Sequence, residues 1–357
     1  MSHNGYGVMN IATVMLNKVK RAVDVDAITR SSLVLAPLVL AAAVSGREVW
    51  LQASLVTISA YIAERRSGLA PLGVLLHGLA IAAAYLSLLL SLAVPMFFVL
   101  IAAFFAMTSI WVTAHGKELR TVGNFIFIPA LYLACENAEG MATFNELLRR
   151  GLTFLPYLAI AMVPVLLMSY VPHKLAQPAN TSYRRHFSRV LQRKGPPNLL
   201  PYGESMIAVT LSVAIAAAVV ELFHMHHGQW VIWSSASVVT GDAISARTSL
   251  RDRLLGASVG VPIGILLGIA MPHNRLILEL VAVVAVLTLV AFHSYPVGFA
   301  ARCACAAALF IIAGGSAIAA TQRLENVVLG CTIGMVLVFV IHAIATMFKA
   351  RQRPEES

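Results

Sequence analysis

Twelve apolar runs, separated by charge clusters or by Pro and Gly breaks, fill most of this sequence and constrain it more than any other feature. They lie near 28–45, 48–63, 67–89, 92–112, 121–136, 152–171, 205–223, 229–243, 252–271, 275–292, 297–319 and 326–348. A helix needs roughly 20 mostly apolar residues to cross a bilayer. The second and eighth runs are short and polar, which predicts a tilted or broken helix at each. With 59% apolar and 12% charged residues, the chain is far from the roughly 25% charge of soluble domains. A mean hydropathy of +0.81 excludes a soluble enzyme, a secreted domain and a nucleic-acid-binding protein. The expected fold is all-α, a polytopic membrane protein with about 12 transmembrane helices. The polar stretch Met1 to Asp26 has no apolar core followed by a cleavage site, so no signal peptide is expected. The four cysteines fall in or beside apolar runs and imply no disulfide framework.

Charge tests the count independently. With both termini cytoplasmic, the outer side receives Arg47, Arg149, Arg150, Arg275 and Arg323, and the rest of the 26 Lys and Arg lie inside. That asymmetry is what the positive-inside rule demands of an inner (plasma) membrane protein. Net charge of +10 thus reads as topology rather than as a nucleic-acid footprint.

One long hydrophilic stretch, 172–203, with a basic run from Arg184 to Lys194, divides the chain. The expected organisation is a cytoplasmic segment 1–27, a six-helix repeat 28–171, a basic linker 172–203, a second repeat 204–348 and a tail 349–357. The blocks echo each other at a spacing near 180 residues: Trp50 and Trp230 open the second and eighth runs, basic clusters follow, then spans bearing Pro and Gly. An even number of spans per repeat makes the two repeats parallel, with a pathway expected between them.

The least generic stretch is Gly228 to Gly268. Gln229 and Trp230 are followed by three serines, Gly241-Asp242, then Arg247, Arg251 and Arg253. Gly256, Gly260, Gly264 and Gly268 form one stripe on a helix, expected to mark close helix packing. Arg247 and Arg251 are four apart and share a face, with Arg253 turned away. Two guanidinium groups at a membrane mouth can hold a carboxylate, although the positive-inside rule by itself also places basic residues here.

The order Gln229-Trp230, polar span, Gly241, Arg247, Arg251 and Leu255-Gly-Ala-Ser-Val-Gly260 resembles the signature of the fusaric acid resistance family, also called the aromatic acid exporter family. Its pattern is a Trp-led span, a basic cluster, and an Arg shortly before a Gly-Thr-x-x-Gly-x-x-x-Gly helix. The resemblance is strongest over 205–345 and weaker over 28–171. Ala257 stands where the family usually has Thr, and the linker is shorter than the cytoplasmic domain of many members. The resemblance implies proton-driven efflux of small organic anions, typically aromatic carboxylic acids, in some systems with a periplasmic adaptor protein. A passive anion channel and a non-transporting scaffold remain open alternatives, as does a homo-oligomer. On this reading Arg247, Arg251, Trp230, Asp242 and Arg302 are the substrate-binding candidates.

Ionisable residues inside spans are functional candidates by default. Glu279 in the tenth run either carries a proton or pairs with Arg275 one turn earlier. His77, in the middle of the third run, and His293, ending the tenth, can titrate in the physiological range. These three are the proton-coupling candidates. His224, His226 and His227 cluster in a loop with no acidic partner in sequence beyond Glu221, so no metal is expected. The sequence carries no phosphate-binding Lys loop and no hydrolase signature, so no cofactor and no enzyme activity are expected.

Overall fold

The computed structural model describes residues 22–116, 119–141, 143–175, 190–191, 202–239 and 243–351. Its described residues form twelve α-helices. These are α1 (Val25–Ser45), α2 (Val49–Ser67), α3 (Pro71–Ser91), α4 (Pro95–Trp111, extended by a 3-10 turn), α5 (Leu119–Ala138) and α6 (Phe144–Leu175), followed by α7 (Gly203–Leu222), α8 (Gln229–Val238), α9 (Ala243–Ala270), α10 (Arg275–Leu287), α11 (Tyr295–Ile312) and α12 (Ala317–Arg351). Each of the twelve runs corresponds to one helix. Seven of them, α1, α3, α6, α7, α9, α11 and α12, are long and apolar enough to cross a membrane, and α4 is a shorter apolar helix. The outside of the bundle is greasy: Leu33, Leu40, Phe97, Leu100, Ile160, Leu211, Val259 and Leu266 are all exposed. A surface of this kind is solvated by lipid, and the chain is a multi-pass membrane protein.

α2 explains its own polarity. It is continuous over 19 residues, and the whole turn-by-turn run from Ala53 to Ala63, apart from Leu55, is buried. Packed on α1, α5 and α6, it is walled in by protein, so Ser54, Thr57 and Ser59 need no lipid-compatible face. Their hydroxyls bond to backbone carbonyls, Thr57 reaching Ala161 of α6 at 2.7 Å. α8 is also enclosed, by α7, α9 and α12, but stops after 10 residues. Val239, which follows it, has left the helical region with ψ at 89°. α9 starts correspondingly early and runs 28 residues. The basic cluster that closes α2 as Arg65 and Arg66 is therefore matched by arginines inside α9 rather than at the end of α8.

Packing pairs recur between the blocks. α3 packs on α5 and α6, as α9 packs on α11 and α12; α2 packs on α6, as α8 packs on α12. Each block's fourth helix crosses to the other block's first, α4 onto α7 and α10 onto α1. The closest pair is α9 with α11. Cβ atoms built on Gly260 and Gly264 would collide with the carbonyl oxygens of Ala300 and Ala304, and one on Gly268 would stand 2.7 Å from Ile311 Cβ. Only glycine lets the two backbones approach this far.

Contacts at the turns fix two ends of the bundle. At the proximal end, residues 22–24 pair with the α10–α11 turn through Asp24 N to Ala291 O at 2.9 Å and His293 N to Ala22 O at 3.1 Å. Ala70 N donates to Val190 O at 2.9 Å there too, docking a piece of the linker. The distal end holds the α1–α2, α5–α6 and α7–α8 connections.

Candidate functional site

Three arginines from three helices converge on the aromatic residues of α8 and α11. Arg253 of α9 is 3% exposed. Its guanidinium carbon lies 4.6 Å from the Phe299 ring centroid and 6.0 Å from that of Trp233, and its Nη1 donates to Ser234 Oγ at 3.3 Å. Arg302 of α11 folds back toward the start of its helix, as helical side chains do, over Phe299 at 5.6 Å and Tyr295 at 5.9 Å. Arg323 of α12 sits on the face of Trp230 at 3.5 Å. The rings themselves are stacked, Trp230 on Trp233 at 5.0 Å and Tyr295 on Phe299 at 6.0 Å.

What these cations lack matters more than what they touch. The Nε of Arg253, Arg302 and Arg323 is in each case buried with no hydrogen-bond partner among the described residues. Among the described residues none of the three has a carboxylate oxygen within 4 Å. A buried guanidinium is costly without a counter-charge, and a cation–π contact returns only about 0.5–2 kcal/mol. Buried unsatisfied donors in a row therefore call for an anion. Planar aromatic walls plus several guanidinium forks suit a ring bearing a carboxylate.

An acid stands at the edge of this cluster. Glu136, near the end of α5, accepts from Gln229 Nε2 at 2.9 Å and shares a hydrogen bond with Tyr132, whose ring packs edge-on against Trp230 at 5.8 Å. Arg323 is close enough to act on Glu136 electrostatically. Glu136 thus joins the first block to the arginines of the second. Arg120 adds a second link across this seam, its Nη2 donating to Val239 O at 3.4 Å.

The residues singled out in the sequence divide as follows. Trp230 and Arg302 lie in the cluster. Arg247 and Arg251 do not: both are exposed on the first turns of α9, Arg247 over Phe339 at 5.0 Å and Arg251, 71% exposed at its side chain, against its neighbour Asp252 at 3.2 Å. The arginine two places on, Arg253, takes the inward direction. Asp242 lies outside the described residues. Glu279 pairs with Arg275, Nε to Oε1 at 2.7 Å, the i,i+4 alternative of the two considered. His293 is exposed at the proximal end. His77 is 2% exposed in α3, away from the cluster, and neither ring nitrogen has a hydrogen-bond partner among the described residues.

Arg253, Arg323, Glu136 and Phe299 were not singled out. The signal for Arg253 was its offset from the Arg247–Arg251 face; Arg323, read in sequence as lying on the outer side between the last two runs, falls about one and a half turns into α12, which begins at Ala317. Nothing local marks Glu136, because its partners come from the other block.

His227 meets acids that sequence proximity did not reveal. Its Nδ1 lies 3.6 Å from Glu139 Oε1, and ligand atoms of Glu136, Glu139 and His227 fall within 4.8 Å of one another. Two carboxylates and an imidazole are donors that a divalent cation accepts, but Glu136 is already engaged by Gln229. Asn326 holds this loop by donating to the carbonyls of His226 and His227 at 3.1 and 3.3 Å.

No significant match is found among curated proteins or among solved structures. A family model described as fusaric acid resistance protein-like matches residues 214–337. That stretch runs from within α7 to within α12 and carries all three arginines and their aromatic rings. The match covers the second block alone, and it is that block which is similar to the fusaric acid resistance protein-like family.

Proposed function

We propose that the protein exports small organic anions, aromatic carboxylic acids above all, across the inner membrane at the expense of the proton gradient. The observation that carries this reading is the set of three arginines laid on aromatic faces with no carboxylate oxygen within 4 Å among the described residues. With a second block similar to the fusaric acid resistance protein-like family, the electrostatic cost of such a site is offset by cargo. The proximal end is cytoplasmic on this reading, in keeping with the positive-inside count. The twelve helices act as two parallel six-helix repeats, a layout supported by the recurring packing pairs and by the reciprocal crossings of α4 and α10.

The exposed Arg247 and Arg251 raise the local concentration of anions at the cytoplasmic mouth. The anion then passes to Arg253, its ring entering between Trp233 and Phe299, and is handed to Arg302 and Arg323 further along. Arg323 is shared: Glu136 and the passing carboxylate compete for it. Gain or loss of a proton at Glu136 changes that competition, which gives coupling a physical place. His77, buried without a partner in the first block, is the second residue proposed to carry a proton.

The test is tolerance. Cells made sensitive to 4-hydroxybenzoate and expressing the protein should grow at raised concentrations of the acid, and the Arg253→Gln protein at equal membrane level should confer no tolerance. Equal protection by the variant would remove the cluster from the mechanism.

A further inference from the structure

A cavity of about 390 Å³ opens at the distal end of the first block and is lined by Arg47, Glu48, Gln52, Arg150, Phe154 and Tyr157 among others. It falls within the roughly 300–1,000 Å³ range of small-molecule sites. Its two arginines are each held by a specific contact. Arg47 follows Gly46, whose left-handed backbone (φ 68°) closes α1, and donates through Nη1 to the Tyr157 hydroxyl at 3.2 Å. Arg150 donates through Nε to Asn137 Oδ1 at 2.9 Å. Asn137 is itself buried and tied by Nδ2 to Leu133 O at 2.9 Å, so it fixes the guanidinium plane. The two terminal amino groups of Arg150 make no hydrogen bond among the described residues.

One wall is aromatic: Trp50 stands edge-on to Tyr157 at 4.8 Å, and Tyr157 stacks on Phe154 at 6.4 Å. Gln52 Oε1 is buried and has no hydrogen-bond partner. Glu48 is the single acid of the lining, and neither arginine lies within 4 Å of a carboxylate among the described residues. The cavity therefore keeps a net positive charge.

We infer that this cavity is a separate binding site for a small aromatic carboxylate carrying a ring hydroxyl. Arg47 and Arg150 take the carboxylate as charge-assisted donors, the ring lies along Phe154 and Tyr157, and the hydroxyl donates to the orphan Gln52 oxygen. The same places in the second block are occupied by Trp230 and Arg323: Trp50 and Trp230 are each the second residue of their helix, and Arg150 and Arg323 each stand six residues after the first of theirs. The two blocks thus place a tryptophan and an arginine at matching helix positions. This inference rests on the cavity's own residues and not on the transport reading.

The experiment is equilibrium dialysis of the purified full-length chain in lipid nanodiscs with radiolabelled 4-hydroxybenzoate. The wild type should bind two equivalents. Arg150→Gln should remove one, and so should Thr153→Trp, which blocks the mouth from an exposed position without touching the Arg150–Asn137 bond. Arg253→Gln should remove the other and leave the cavity filled. Gln52→Leu should erase a preference of roughly ten-fold for 4-hydroxybenzoate over benzoate. Binding untouched by both Arg150→Gln and Thr153→Trp, or no binding at all, overturns the proposal. Failure of the transport reading alone has a different signature: one equivalent in the wild type, kept in Arg253→Gln and lost in Thr153→Trp.

Discussion

Replacing Arg253 by Met separates a binding arginine from a structural one. The side chain is 3% exposed, hydrogen-bonded to Ser234 and to Cys331, and otherwise supported by the Phe299 and Trp233 faces. Met keeps much of the stem's packing and removes an unpaired buried charge. Exchanging buried ionic groups for apolar ones of similar volume is often neutral or stabilising, by about 1–4 kcal/mol. Against this stands the loss of cation–π contact, about 0.5–2 kcal/mol. The balance is a melting temperature that holds or rises. Binding moves the other way: a charge-assisted bond to a carboxylate contributes about 1.5–3 kcal/mol, so Kd for 4-hydroxybenzoate at this site should rise roughly 10- to 150-fold. Thermal unfolding followed by tryptophan fluorescence and dialysis binding on the same preparation read both quantities. A variant that melts well below wild type, or that keeps its affinity, would refute the reasoning.

Gly264→Val should be among the most damaging single changes in the second block, because its side chain meets the Ala304 carbonyl; a cost on the order of 3 kcal/mol would show as loss of the monodisperse peak in size-exclusion chromatography, and normal yield would contradict the packing account. Arg251→Gln, at an exposed position already paired with Asp252, should slow uptake at low salt while leaving affinity within about two-fold, since rim charges act on encounter rates; the salt dependence of initial rates reads this. Glu136→Gln retains a hydrogen-bonding group next to Gln229 but cannot ionise, so binding should persist while gradient-driven accumulation is lost. His77→Met removes a buried ring with two unbonded nitrogens and should leave thermal stability unchanged or higher.

Hydrophobic run length was enough to find all twelve helices, because a lipid-facing helix must be apolar over its whole exposed stripe. It misjudged α2 and α8 as a pair. Both are polar for the same reason, enclosure by other helices, yet α2 continues to Ser67 and α8 stops at Val238. Enclosure is a property of neighbours and leaves the same mark in sequence whether or not the helix breaks. The arginines show the same limit. Helical spacing separates Arg253 from Arg247 and Arg251, but whether a face looks inward depends on α8 and α11, of which the glycine stripe accounts only for the approach of α11. Glu136 and His227 lie 91 positions apart and meet only through the seam between α5 and the α7–α8 loop. The first-block cavity is likewise assembled from the α1–α2 turn and α6, more than 100 residues apart in the chain.

The most direct test uses proteoliposomes with an imposed pH gradient and labelled 4-hydroxybenzoate, corrected for leak through protein-free vesicles. Wild-type protein should accumulate the acid against its concentration gradient, a protonophore should collapse that accumulation, and Arg253→Gln protein should show leak alone. Wild-type flux that merely equilibrates, or flux that survives the Arg253 substitution, would contradict proton-driven export through the arginine–aromatic cluster.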